Sequence, residues 1–216
     1  MRQLNFRQSM KLKICGMKHP SNVSAVARLK PDYLGFIFYE KSPRYVPDTL
    51  PPETVLALPA TIRRVGVFVD AATEHMQQMG ERYGLTTLQL HGLEPPDQCE
   101  ALRQAGYEII KVFGLDAGFD YRKLDLYQPY VDFFLFDTPT RQHGGSGRTF
   151  DWSRLSHYSG DTPFFLSGGI GLNNLALALR LNHPNLAGFD VNSRFETAPG
   201  QKSVYQLEQL IERLGR

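Results

Sequence analysis

Two cysteines in 216 residues, Cys15 and Cys99, are too few for a disulfide framework, which points to a reducing compartment. Long apolar runs are missing too: no stretch approaches the roughly 20 residues of a membrane span. Charge of one sign is concentrated nowhere. Lys and Arg number 24 against 22 Asp and Glu, a net charge of +2 without a basic run or an acidic tail. Neither nucleic acid nor a membrane is therefore expected as a partner. The six histidines (His19, His75, His91, His143, His157 and His183) show no helical pair and no zinc-type Cys/His spacing, so no metal is expected. Met1 to Ser9 is polar and lacks the apolar run of a signal peptide. Residues 1–10 are expected to form a disordered extension, with Met10 an equally good start, on a cytoplasmic protein.

What the chain does have is a steady alternation of short apolar runs and amphipathic segments. Leu12 to Cys15 reads as a strand, followed by a helix entered at His19-Pro20-Ser21-Asn22. Tyr33 to Tyr39 is almost wholly apolar, as a parallel strand covered on both faces should be, and a helix through Thr54 to Leu58 follows. The pattern continues with strands at 64–69, 87–91, 107–113, 132–137, 164–166 and 186–191. Helices are expected at 72–83, 96–104, 121–127 (a weak one), from Asp151, at 172–181 (a strong one) and at 204–214. Eight strand–helix units without a linker or composition shift imply a single-domain (β/α)₈ TIM barrel over residues 11–216. An open doubly wound sheet is the alternative.

In such a barrel the site lies at the carboxyl ends of the strands. Cys15 ends the first strand and Arg44 follows the second. His91 ends the fourth, Asp137 the sixth, Ser167-Gly168-Gly169 the seventh, and Asp190 with Asn192-Ser193 the eighth. Each alone has a plain structural reading, Cys15 as a core thiol and Asp137 as a turn cap. Together they put an acid, a thiol, an imidazole and a guanidinium on one rim. Gly168, Gly169, Asn192 and Ser193 bring bare backbone amides to the barrel mouth before helices, the usual phosphate grip. A dinucleotide fingerprint is excluded at Gly169-Ile170-Gly171, because Asn174 stands where a third glycine would be required. Gly144, Gly145 and Gly147 form a second glycine-rich loop, either a mobile cover or plain surface. Lys13 shares a strand face with Cys15 and is a cation for its thiolate or a partner for a carboxylate inside the barrel.

From Lys13 onward the chain resembles the phosphoribosylanthranilate isomerase family. The resemblance rests on Lys13-Ile14-Cys15-Gly16, Ser42-Pro43-Arg44, Gln89-Leu90-His91-Gly92, Leu135-Phe136-Asp137-Thr138, Gly144-Gly145-Ser146-Gly147, Leu166-Ser167-Gly168-Gly169, Asp190-Val191-Asn192-Ser193 and Pro199-Gly200-Gln201-Lys202. Arg148, Arg194-Phe195 and Ser203 depart from the usual pattern. The resemblance implies an Amadori rearrangement in tryptophan biosynthesis, with Asp137 as acid and Cys15 as base. Arg44 would grip the anthranilate carboxylate, and His91 and Asp190 would help hold the phosphosugar-anthranilate substrate. It implies no cofactor and either a monomer or a homodimer. A related phosphosugar barrel would need other groups: lysine with glutamate in a synthase, a metal with aspartates in an epimerase. A non-catalytic phospholigand-binding protein would have no use for both Cys15 and Asp137.

Overall fold

The computed structural model describes residues 10–47, 49–138 and 151–216. Eight parallel strands close on themselves: β1 (Lys11–Ile14), β2 (Tyr33–Ile37), β3 (Arg63–Phe68), β4 (Thr87–Leu90), β5 (Glu108–Gly114), β6 (Phe133–Asp137), β7 (Phe164–Leu166) and β8 (Leu186–Val191). Pairing of β1 with β8 closes the barrel and rules out the open sheet. The expected (β/α)₈ architecture is what the chain adopts.

Alternation sorts each strand's side chains into two environments. Leu12, Ile14, Leu34, Phe36, Phe134 and Phe136 face outward and are buried under the helices. Tyr33, Val65, Ile110, Val112, Leu135 and Phe165 face inward and fill the barrel as a second, separate cluster. There Tyr33 and Phe133 pack on Phe165 with ring centroids 5.3 and 5.1 Å away. Burying side chains of this size contributes about 1.5–3 kcal/mol each. The result is a closed floor beneath the strand ends.

The outer layer contains α1 (Pro20–Ala27), α2 (Pro52–Leu56), α3 (Thr73–Tyr83), α4 (Pro96–Gln104), α5 (Leu175–Ala178) and α6 (Val204–Leu214). Proline opens α1, α2 and α4, where its missing N–H costs nothing. In α6, Leu207, Leu210 and Leu214 bury one stripe, and Gly215 ends the helix in the left-handed region at φ 74°. The Ser203 hydroxyl caps α6 by accepting the Gln206 N–H.

Three expectations about the outer layer are corrected. The strong helix anticipated over 172–181 is only Leu175–Ala178. The Asn174 side chain accepts the Gly171 N–H and donates to the Gly169 carbonyl, holding the entry as a turn. The Arg180 and Leu181 N–H groups then bond three residues back, tightening the exit. The weak helix over 121–127 and the one from Asp151 are 3₁₀ turns, Tyr121–Leu126 and Trp152–His157, each begun by an aspartate accepting the N–H two residues on. An unexpected hairpin, β9 (Glu196–Ala198) with β10 (Gln201–Lys202), follows β8.

Met10, placed within the expected extension, is buried in the core. Residues 1–9, and the loop carrying Gly144, Gly145, Gly147 and Arg148, lie outside the described residues. Among the described residues, no helix is long and apolar enough to cross a membrane.

Candidate active site

A cavity of about 480 Å³ opens at the carboxyl ends of the strands. Cys15, Arg44, His91, Asp137, Gly168, Gly169, Asp190, Asn192 and Ser193 all line it. The barrel thus brings together every expected site residue outside the 144–147 loop.

Cys15 extends the β1–β8 pairing by one residue, its N–H donating to the Val191 carbonyl at 2.9 Å. Its side chain is 4 % exposed. Room for the sulfur comes from β2: a Cβ built on Gly35 would stand 2.8 Å from Cys15 Sγ. Burial pushes the thiol above its ordinary pKa; Lys13 opposes this, Asp190 adds to it and Lys202 opposes it more weakly.

Lys13 pairs with a carboxylate inside the barrel, one of the two roles considered for it. It is wholly buried and opposite Asp190 in the β1–β8 register, and its Nζ bonds Asp190 Oδ1 at 2.8 Å. Burial alone would lower its pKa; Asp190, and then Cys15, raise it above the ordinary lysine value. The other Asp190 oxygen accepts the Ser167 hydroxyl at 3.2 Å. Asp190 therefore stands in the cavity wall with both oxygens engaged by the protein.

Asp137, at the end of β6, is 7 % exposed. Burial drives its pKa up to about 7, against the Thr138 N–H that its Oδ1 accepts at 2.7 Å and with help from the Asp190 charge. Gly168, at φ +85°, packs directly on it: a Cβ there would fall 2.9 Å from Asp137 Oδ1 and 2.3 Å from the Thr138 hydroxyl. Asp137 Oδ2 lies 3.6 Å from His91 Nε2. Behind His91, Gln89 Nε2 lies 3.3 Å from its Nδ1, orienting the ring. Gln89 Oε1 is buried at the cavity wall without a hydrogen-bond partner among the described residues.

The β4–α4 loop is secured from below. Lys111, reaching up from β5, bonds Glu94 Oε2 at 2.9 Å and the Gly92 carbonyl at 2.8 Å, while Glu94 accepts the N–H groups of Asp70 and Gly92. This buried pair anchors the backbone that carries His91.

Arg44 meets a partner that sequence reasoning missed. Its Nε and Nη2 grip Glu196 of β9 at 2.9 and 2.6 Å. Lys202 of β10 bonds the same carboxylate at 2.7 Å and the Asn192 side-chain oxygen at 2.6 Å. The Asn192 side chain is thus committed to Lys202, leaving its backbone to the cavity. The helices behind the phosphate loops are short: α5 has four residues and the turn Ser193–Phe195 three. Their dipoles add little, so an anion here depends on loop amides. Arg194 lines the rim, its stem against Gly171.

Glu196 and Gly35 carry no motif of their own, and Gln89 stood in a matching stretch without a role. Lys202 stood within a matching stretch, but its role depends on contacts that the hairpin alone creates. Among the described residues, no group of three or more His, Cys, Asp or Glu could hold a metal ion.

Comparison with known proteins agrees with this geometry. Residues 12–213 match the family model for N-(5′-phosphoribosyl)anthranilate (PRA) isomerase. The N-(5′-phosphoribosyl)anthranilate isomerase of Parabacteroides distasonis is 43% identical over 207 residues, covering 95% of this chain and 93% of the relative. The crystal structure of phosphoribosyl anthranilate isomerase from Thermus thermophilus superposes with a TM-score of 0.83 at 31% identity, covering 95% of this chain and 98% of that one. A further phosphoribosyl anthranilate isomerase was solved with reduced 1-(o-carboxyphenylamino)-1-deoxyribulose 5-phosphate. It superposes at TM-score 0.80 with 28% identity, over 95% and 98% of the two chains.

Proposed function

The chain belongs to the phosphoribosylanthranilate isomerase family, and from that premise we propose that its cavity converts N-(5′-phosphoribosyl)anthranilate to 1-(2-carboxyphenylamino)-1-deoxyribulose 5-phosphate, a step of tryptophan biosynthesis, with Asp137 as acid and Cys15 as base. The reaction is an internal redox shift between two carbons, made of proton transfers and the opening of one ring C–O bond, with no external oxidant or reductant. The Asp137 carboxyl protonates the furanose ring oxygen, and the C1′–O bond breaks to an iminium. The Cys15 thiolate then removes the C2′ proton, and the electron pair left behind neutralises the iminium as an enolamine. Tautomerisation gives the ketone.

The observation that carries this reading is the Asp137 environment. A carboxyl of ordinary pKa is almost wholly ionised at neutral pH and cannot donate, whereas one held at about 7 is half protonated. The base is supported by Lys13 and Lys202, the two cations acting on the Cys15 sulfur. Arg44 presents a guanidinium to the ring carboxylate, and the loops at Gly168-Gly169 and Asn192-Ser193 take the phosphate. His91 and Asp190 complete the wall around the sugar.

The test is decay of phosphoribosylanthranilate fluorescence on adding the protein, with product trapped by an indole-glycerol-phosphate synthase because the substrate also decomposes unaided. Asp137→Asn and Cys15→Ser should each fold and lose turnover by about 10²-fold or more. Near-normal turnover by either variant refutes that residue's role.

A further inference from the structure

Arg44 poses an electrostatic problem. Glu196 takes the Nε and Nη2 positions of its guanidinium, so the two groups form an almost neutral pair. A ligand carboxylate arriving at Nη1 would be attracted by the guanidinium and repelled by Glu196 in nearly equal measure. Lys202 alters that balance. Its ammonium bonds the far side of the same carboxylate at 2.7 Å, bringing the group of three to a net charge of +1.

Lys202 is 2 % exposed and is absent from the cavity wall, which Arg44 does line. Its backbone is fixed on both sides by Asn22 of α1: the Lys202 N–H donates to Asn22 Oδ1 at 2.8 Å, and its carbonyl accepts from Nδ2 at 3.0 Å. Burying an ammonium opposes folding, and replacing a whole buried ion pair by apolar side chains is often neutral or stabilising. Its charge therefore calls for an explanation that packing does not supply.

We propose that Lys202 is a positioning residue for substrate selection, which offsets Glu196 so that Arg44 stays net cationic toward the aromatic carboxylate of the ligand. The proposal rests on the assignment of Arg44 to that carboxylate. It assigns Lys202 a task apart from the acid–base step: preferring a carboxylated aromatic amine over one without the carboxyl. The groups facing the Lys202 ammonium are Glu196, Cys15, Arg44 and the Asn192 amide. Burial presses its pKa down to about 8, with Glu196 and Cys15 resisting, so the selecting charge fades as pH rises through that value.

The experiment measures calorimetric affinity for two probes, the reduced product 1-(2-carboxyphenylamino)-1-deoxyribitol 5-phosphate and the same molecule without its ring carboxyl. Both meet the same phosphate loops and the same Cys15, so their affinity ratio isolates the carboxylate. A unit charge about 8 Å away across an effective dielectric of about 20–40 changes that ratio by roughly 6- to 30-fold. Lys202→Met should lower the ratio by this factor, whatever common loss both probes share through the Asn192 loop. In the wild type the ratio should step down near pH 8, and in Lys202→Met the step should vanish. An unchanged ratio overturns the proposal. If Lys202→Met does not fold, the wild-type series decides alone, and a ratio flat from pH 7 to 9 overturns it. Arg44→Met separates the two ideas: a full ratio there refutes the Arg44 assignment itself, whereas a collapsed ratio beside an intact one in Lys202→Met refutes only the role of Lys202.

Discussion

If Asp137 donates and Cys15 accepts, the ionisation order in the free protein is the reverse of the one the reaction needs. Asp137 titrates at about 7, and the Cys15 thiol lies above its ordinary value. The competent state, with carboxylic acid and thiolate together, is therefore a minority species. Its population rises tenfold per pH unit up to about 7, stays level until the thiol ionises, then falls. The acidic limb of the rate profile thus reports the group that acts as the acid. From pH 7 to pH 5 the rate should drop by about 50-fold, because half the acid is already ionised at pH 7, whereas an ordinary carboxyl would leave it level over that range. Asp190→Asn tests the assignment, because the Asp190 charge is one of the causes raising Asp137. For charges about 8 Å apart in an effective dielectric of about 20–40, losing it should move the acidic inflection down by about one unit. Profiles of kcat/KM are measured with excess trapping synthase. The substrate phosphate titrates near ~6 in both proteins, so the displacement between them is the readout. An inflection near 4 in the wild type, or one that Asp190→Asn leaves in place, refutes the reasoning.

Two further outcomes follow from the same geometry. Burial raises the folded-state pKa of Asp137 above its unfolded value, so its contribution to stability is fully present below pH ~4 and is lost as pH rises through about 7. Asp137→Asn should accordingly stabilise the fold at pH 8, by at most about 4 kcal/mol, with little gain at pH 4; denaturant unfolding at the two pH values checks this, and a gain confined to low pH contradicts it. Gly35→Ala places a methyl 2.8 Å from Cys15 Sγ on a rigid strand, so the thiol must move. A stability loss of about 1–3 kcal/mol and a fall in kcat larger than any change in KM are expected; wild-type kcat with wild-type stability would show that the sulfur position is not critical.

Much of the barrel was legible because its signals are local. An apolar run such as Tyr33 to Ile37, punctuated by Lys30-Pro31 before it, needs no distant partner to be read as a buried strand. The α6 stripe and its Ser203 and Gly215 caps lie within thirteen residues. Since strand ends define the rim of a barrel, Cys15, His91, Asp137 and Asp190 could be placed in one cavity from their positions alone. Local signals failed where local hydrogen bonds compete, as at Asn174, which turned a periodic helix pattern into two turns around a single helical one.

The sequence by itself determined the strand order, the face each strand residue takes and the inventory of reactive groups at the rim. Only the tertiary structure decided how those groups are charged. Lys13 meets Asp190 across 177 positions and Arg44 meets Glu196 across 152. The pKa of Asp137 follows from how completely the barrel, Gly168 and His91 exclude water from it. Ionisation depends on desolvation and on charges a few ångströms away in space, and neither quantity is written along the chain.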